Sequence, residues 1–165
     1  MQNIADRAVI QKHNRPGRLL SLLSICLMIF LAGTYVQGQR SSVSAAEVTG
    51  SFRHSFTGKF KGSSNDIKIA SAGKGKLHIG MDLVYPYMNG KELMANTGEL
   101  DGQASIDGDT AVYTSKEFGP CTITIKFTKP GVIDVKQDEG DCGFGHNVSA
   151  DGHYVKVSSR KPTFK

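Results

Sequence analysis

Residues 121–137 read Cys-Thr-Ile-Thr-Ile-Lys-Phe-Thr-Lys-Pro-Gly-Val-Ile-Asp-Val-Lys-Gln. Cys121, Ile123, Ile125 and Phe127 alternate with Thr122, Thr124 and Lys126, so one face of a strand is apolar and the other polar. Lys129-Pro130-Gly131 supplies a turn, and Val132 to Gln137 returns. If Phe127 pairs with Ile133, then Ile125 faces Val135 and Cys121 falls opposite Glu139. A hairpin with one apolar face needs more sheet to cover that face, and the rest of the chain offers it.

Sixteen of the nineteen glycines follow Gly38, at short intervals, with Ile, Val, Thr, Phe and Tyr between them. Glycine allows the positive φ of tight turns, and β-branched residues suit a pleated surface. The pattern predicts many short strands and few helices. The first strand is Gly50–Gly58, with Phe52, His54 and Phe56 on one face. Phe60 to Asn65 reads as a loop and Ile67-Lys68-Ile69 as a short strand. After a turn at 72–75, Leu77, Ile79, Met81 and Leu83 alternate along a longer strand. Asp107-Gly108 marks a hairpin between Leu100–Ile106 and Ala111–Tyr113.

Val84 to Thr97 breaks the pattern. Pro86 cannot donate to a central ladder, Asn89-Gly90 turns, and Lys91 to Asn96 could form one helical turn. This region reads as a long connection crossing one end of the sheet. The last strand, Gly152-His-Tyr154-Val-Lys-Val157, opens as Gly50-Ser-Phe52 does. The first and last strands are expected side by side, closing the sheet. The fold class is all-β: a single small antiparallel barrel or sandwich of about eight strands.

The other end of the chain carries an export signal. Arg7, Lys12, Arg15 and Arg18 precede an apolar run from Leu19 to Ala32, the length of a signal core and short for a span of about 20 residues. Val36-Gln-Gly38 offers cleavage chemistry; Val43-Ser-Ala45 offers better residues farther downstream. Counting on to Val36 lengthens the run to about 18 residues, so an uncleaved anchor, tethering the domain through residues 19–36, is the alternative. Residues 1–38 are thus signal peptide or signal anchor, 39–48 a flexible leader, and 49–165 the β domain. The expected location is secreted or periplasmic, or membrane-anchored facing away from the cytosol.

Four of the twenty Lys and Arg and one of the fifteen acids lie before Gln39, so the formal charge of the exported part falls from +5 to +2. The basic balance is partly a property of the signal and argues against a nucleic-acid partner. Cys121 and Cys142 are the two cysteines beyond the signal. In an oxidising compartment they are expected to pair, pinning the open end of the 121–137 hairpin; buried free thiols are the alternative.

The C-terminal wording Asp141-Cys-Gly-Phe-Gly-His-Asn-Val148, then Ala150-Asp-Gly-His-Tyr154, stands below Gly98-Glu-Leu-Asp-Gly102 and Ala111-Val-Tyr113. Together these resemble a group of small exported bacterial proteins ending in Cys-Gly-Phe-Gly followed by Asp-Gly-x-Tyr. The resemblance covers about residues 98–157. It implies a β fold and export, and no catalytic residue. A looser likeness, of size, compartment and fold class, is to periplasmic lysozyme inhibitors.

The motifs of common chemistries are missing. There is no Gly-x-Ser-x-Gly elbow and no His-Glu-x-x-His. Asp101, Asp107, Asp109, Glu117 and Asp141 are ordinary carboxylates, and Asp107 and Asp109 flank a turn glycine. His146 and His153, with Asp141 or Asp151, match no strong zinc spacing, and Asp138-Glu-Gly-Asp141 lacks that of an EF-hand. Gly73-Lys-Gly-Lys76 is not a P-loop. Lys59, Lys61, Lys68, Lys74 and Lys76 read as a solvated stripe that blocks edge aggregation. Asn147-Val-Ser149 is a sequon of chance length. No enzyme, metal or cofactor is expected. The candidate binding residues are Tyr85, Tyr87 and Met88, which either form an interface or cap the core, with Phe144, an anchor or an inward plug beside the disulfide, and His146. The expected function is binding of a protein or polymer of the cell envelope, inhibitor-like; the alternative is a small-molecule carrier using the barrel interior.

Overall fold

The computed structural model describes residues 42–138 and 140–164. The segment read as signal or anchor lies outside the described residues, as does the start of the leader. Eight strands run in order: β1 (Gly50–Ser55), β2 (Ser64–Gly73), β3 (Lys76–Asn89), β4 (Glu92–Asp107), β5 (Thr110–Ser115), β6 (Cys121–Lys129), β7 (Val132–Gln137) and β8 (Gly152–Ser158). Each pairs antiparallel with the next, and β8 returns to β1, so the sheet is a closed barrel. The β6–β7 register is the expected one: Phe127 faces Ile133 and Ile125 faces Val135.

Closure depends on the glycine that opens β1. A Cβ on Gly50 would run into the Ser158 carbonyl oxygen, and its φ of 150° disfavours other residues. Only a residue without a side chain lets the end of β8 come this close. Inside, Phe52, Ile67, Ile69, Leu77, Ile79, Met81, Leu83, Ile123, Ile125, Ile133 and Tyr154 are buried. Phe52 meets Phe127 edge-on at 6.4 Å between ring centroids, a favoured aromatic geometry. An eight-stranded interior is just wide enough for side chains to fill it.

Two expectations need correction. Residues 42–48 do not form a flexible leader. Ser44 and Glu47 make a capping box that starts a helix, α1 (Ala45–Val48). Val48 is buried, and Val43 packs against the core. The α1 end is fastened by Lys156 of β8, whose Nζ donates to the carbonyls of Ala46, Glu47 and Thr49 at 3.2, 2.6 and 3.0 Å. Burial lowers the Lys156 pKa, opposed by the charge of Glu47. The ammonium also lies 5.1 Å from the Phe52 ring centroid.

The second correction concerns Val84–Thr97. It is neither a crossing connection nor a helical turn, but the outer half of the β3–β4 hairpin, paired without interruption to Asn89↔Glu92. The two-residue loop is Gly90-Lys91, with Gly90 at φ 63°. Positive φ at the first central residue suits a type II′ hairpin turn.

Cys121 and Cys142 form a disulfide with Cα atoms 4.9 Å apart. It ties the start of β6 to the loop leaving β7. Closing a loop of about 20 residues stabilises by about 3 kcal/mol in the chain-entropy model. The Cys121→Ser/Cys142→Ser protein should lose that amount in urea unfolding, and reductant should lower the parent to the same midpoint. An unchanged midpoint in both would remove the disulfide from the account.

Candidate functional site

Three ladders end at different heights, and the difference creates the site. Pairing of β2 with β3 stops at Asp66↔Asp82. Pairing of β4 with β5 covers only Ser105–Asp107. The β3–β4 ladder continues past both. From Leu83 to Gly98 these two strands are therefore a ribbon without a third strand, about 20 Å long at the usual rise per residue.

Asn65 governs the point of departure. It is the one buried polar side chain among the described residues. Its Oδ1 accepts the Val84 N–H at 2.7 Å, in place of a further ladder bond. Val84 thus points its N–H toward β2, and so does the nitrogen of Pro86 two residues on. That side has no strand to receive a donor, so proline costs no ladder bond there.

Period-two alternation assigns the ribbon's faces. Tyr85 and Tyr87 continue the core face of Leu83, opposite Asn96 and Met94; Pro86 and Met88 are on the reverse face, opposite Ala95 and Leu93. Tyr85, Met88, Leu93 and Met94 are exposed by 41, 39, 51 and 40%. They are half of the eight large exposed hydrophobics among the described residues. Their grouping in ten residues of chain gives each face of the ribbon an exposed apolar pair, Tyr85 with Met94 and Met88 with Leu93. Tyr87 is half-buried.

The loop after the disulfide covers the ribbon's base. The Phe144 ring lies where a Cβ on Gly98 would be, 2.7 Å from that position, and packs against the core. Gly145 donates its N–H to the Thr97 carbonyl at 3.0 Å. Asn96 Nδ2 donates to the His146 carbonyl at 2.7 Å. Phe144 and His146 thus meet the strand opposite Tyr85, while the His146 ring is in solvent. The sequence does not single out Leu93 and Met94, because Lys91 to Asn96 reads as a helical turn. The signal was present: Asn89-Gly90 with apolar residues on both sides is a hairpin pattern.

No group of three or more His, Cys, Asp or Glu comes together as a metal site among the described residues. His153 instead lies 2.6 Å from Asp134. Nor is any helix among them long and apolar enough to cross a membrane. The hollows found are at the surface, between β2, β3 and β4, beside the 56–64 loop and at strand ends. The chain matches no protein-family model, no curated protein and no solved structure.

The Tyr154 hydroxyl donates to the Ala150 carbonyl at 2.9 Å. Burial raises the Tyr154 pKa to about 12, from 10.0 for a free tyrosine, and the polar side chain of Asn65 offsets this in part. Between these values the unfolded chain binds fewer protons than the folded one, so stability falls as pH rises. This contribution to stability is fully present below pH 10 and amounts to about 2–3 kcal/mol when lost. Urea midpoints measured from pH 9 to 12 should drop for the parent and drop less for Tyr154→Phe. Equal slopes would contradict the assignment.

Proposed function

We propose that this is an exported, non-enzymatic binding protein that grips a macromolecule of the cell envelope with the β3–β4 ribbon. The observation that carries the reading is an apolar patch on both faces of a two-stranded arm that has left the barrel wall. The arm buries Pro86 and Gly98 but leaves Tyr85, Met88, Leu93 and Met94 exposed, and exposed apolar patches mark interaction sites. A partner that closes on it from both sides covers Tyr85 and Met94 with one wall and Met88 and Leu93 with the other. The turn residues Asn89, Lys91 and Glu92 are polar, which suits a cleft with a wet end better than an acyl layer.

Export is supported by the residue pattern of 15–38 and by the disulfide, which persists in oxidising compartments. The carrier alternative draws less support, because the barrel interior is filled by packed side chains. Ligand pockets of carriers generally need several hundred Å³ of interior space.

Site-specific photo-crosslinking in envelope preparations tests the reading. A crosslinker at Met88 or Leu93 should give a discrete macromolecular adduct, and one at Val157, exposed on β8, should not. Adducts of equal yield from all three positions would remove the ribbon as the binding element. A lipophilic small molecule co-purifying in place of any adduct would favour the carrier.

A further inference from the structure

A second surface lies at the connection between β1 and β2. Residues 56–63 loop back through a short 3-10 turn, Gly58–Phe60. Main-chain bonds from Phe56 to Ser63 and from Ser63 to Phe60, at 3.1 and 3.0 Å, hold the loop in shape. Gly58 and Gly62 have φ of 61° and 105°, which the tight path requires. The loop and the strand ends border an open hollow of about 420 Å³. That lies within the range of about 300–1,000 Å³ usual for small-molecule sites.

Arg53 and Lys61 line the hollow, and no carboxylate does. Asp66 accepts from Arg53 Nε at 2.7 Å with one oxygen and from the Ser64 hydroxyl at 3.0 Å with the other. Both Asp66 oxygens are thus occupied, and the two terminal nitrogens of the guanidinium are left for a ligand. The Lys61 ammonium is exposed and has no ion pair or hydrogen bond among the described residues, whereas Lys68 meets Asp82 and Lys76 meets Ser105. The hydroxyls of Ser55 and Ser63 line the same hollow, and that of Thr57 makes no cap bond to the turn it precedes. Phe56 adds an apolar wall. Its ring meets His54 edge-on at 5.4 Å, and His54 is fixed by the His153 carbonyl at 3.0 Å.

We propose that this hollow binds an acidic sugar, a saccharide unit carrying a carboxylate or a phosphate. The guanidinium and the ammonium take the oxyanion. A bare anion needs only those two cations; the free hydroxyls and the aromatic wall fit a polyhydroxylated ring, which exchanges hydrogen bonds with the former and lays its C–H face on the latter. Ser64 on the rim is next to Asn65, which bonds Val84 at the base of the arm. The hollow and the arm therefore lie at one end of the barrel. They share no contact residue, so the two proposals can fail separately.

The test is an amide NMR titration of the isotope-labelled protein with trigalacturonate, glucose 6-phosphate, maltotriose and inorganic phosphate. At least one of the two acidic sugars should shift the amides of Thr57, Lys61 and Gly62, and which one does so tells carboxylate from phosphate. Neutral maltotriose should not. Binding should weaken about tenfold in Lys61→Gln, a change of about 1.4 kcal/mol, further in Arg53→Gln/Lys61→Gln, and be unaffected in Leu93→Ser/Met94→Ser. It should also weaken in about 1 M salt, where charges are screened within about 3 Å. No shift with either acidic sugar, equal shifts with maltotriose, undiminished binding in Lys61→Gln, or loss of binding in the ribbon variant would each overturn the proposal. Inorganic phosphate that binds as tightly as the acidic sugar would leave an adventitious ion only, and would overturn it as well.

Discussion

The buried amide of Asn65 sets the boundary between barrel and arm. By accepting the Val84 N–H at 2.7 Å it ends the β2–β3 ladder with a side chain. A leucine in its place would leave that N–H without an acceptor, at a cost of about 1–3 kcal/mol. Asn65 shares the buried interior with Tyr154 of β8, which bonds the Ala150 carbonyl in the loop that precedes it. Below this point the fold is a wall of eight strands; above it, two strands continue alone. An isolated two-stranded hairpin is marginal in water, so the arm depends on this anchorage and on the disulfide-tied loop that lays Phe144 over Gly98.

Filling the interior moves function outward. Phe52, Phe127 and Tyr154 join the aliphatic side chains inside a narrow barrel, and α1 packs Val48 into the same core. With the inside committed to packing, the proposed contact falls to the apolar residues that remain exposed. Four of them sit on the arm and another, Phe118, between β5 and β6. The arm owes its length to β4, which exceeds its neighbour β5 by ten residues.

Much of this was legible in the chain. The alternation at Cys121–Phe127 and the turn at Pro130-Gly131 specified a register that the structure has, and the matching glycines at Gly50 and Gly152 marked the strands that meet at closure. The disulfide followed from two cysteines and a hairpin geometry. The arm was not legible as an arm, because Pro86 argues against a central strand. That rule holds only where a partner waits on the proline's N side, and strand ends cannot be read from a local pattern. Ser44 and Glu47 spelled a capping box, but a four-residue helix is shorter than the window in which periodicity can be seen. Asn65 gave no signal: a lone asparagine before Asp66 looks like a loop residue until Val84 is placed beside it.

Methionine methyl groups report on both parts of the molecule. Met81 is buried in the core at 2% exposure, while Met88 and Met94 lie on opposite faces of the arm. The most direct measurement is a methyl-methionine NMR titration of the protein with fractionated envelope extract. The account predicts that Met88 and Met94 shift or broaden together while Met81 stays in place. A fraction that moves Met81 and leaves the other two untouched would contradict it, and would put the ligand inside the barrel.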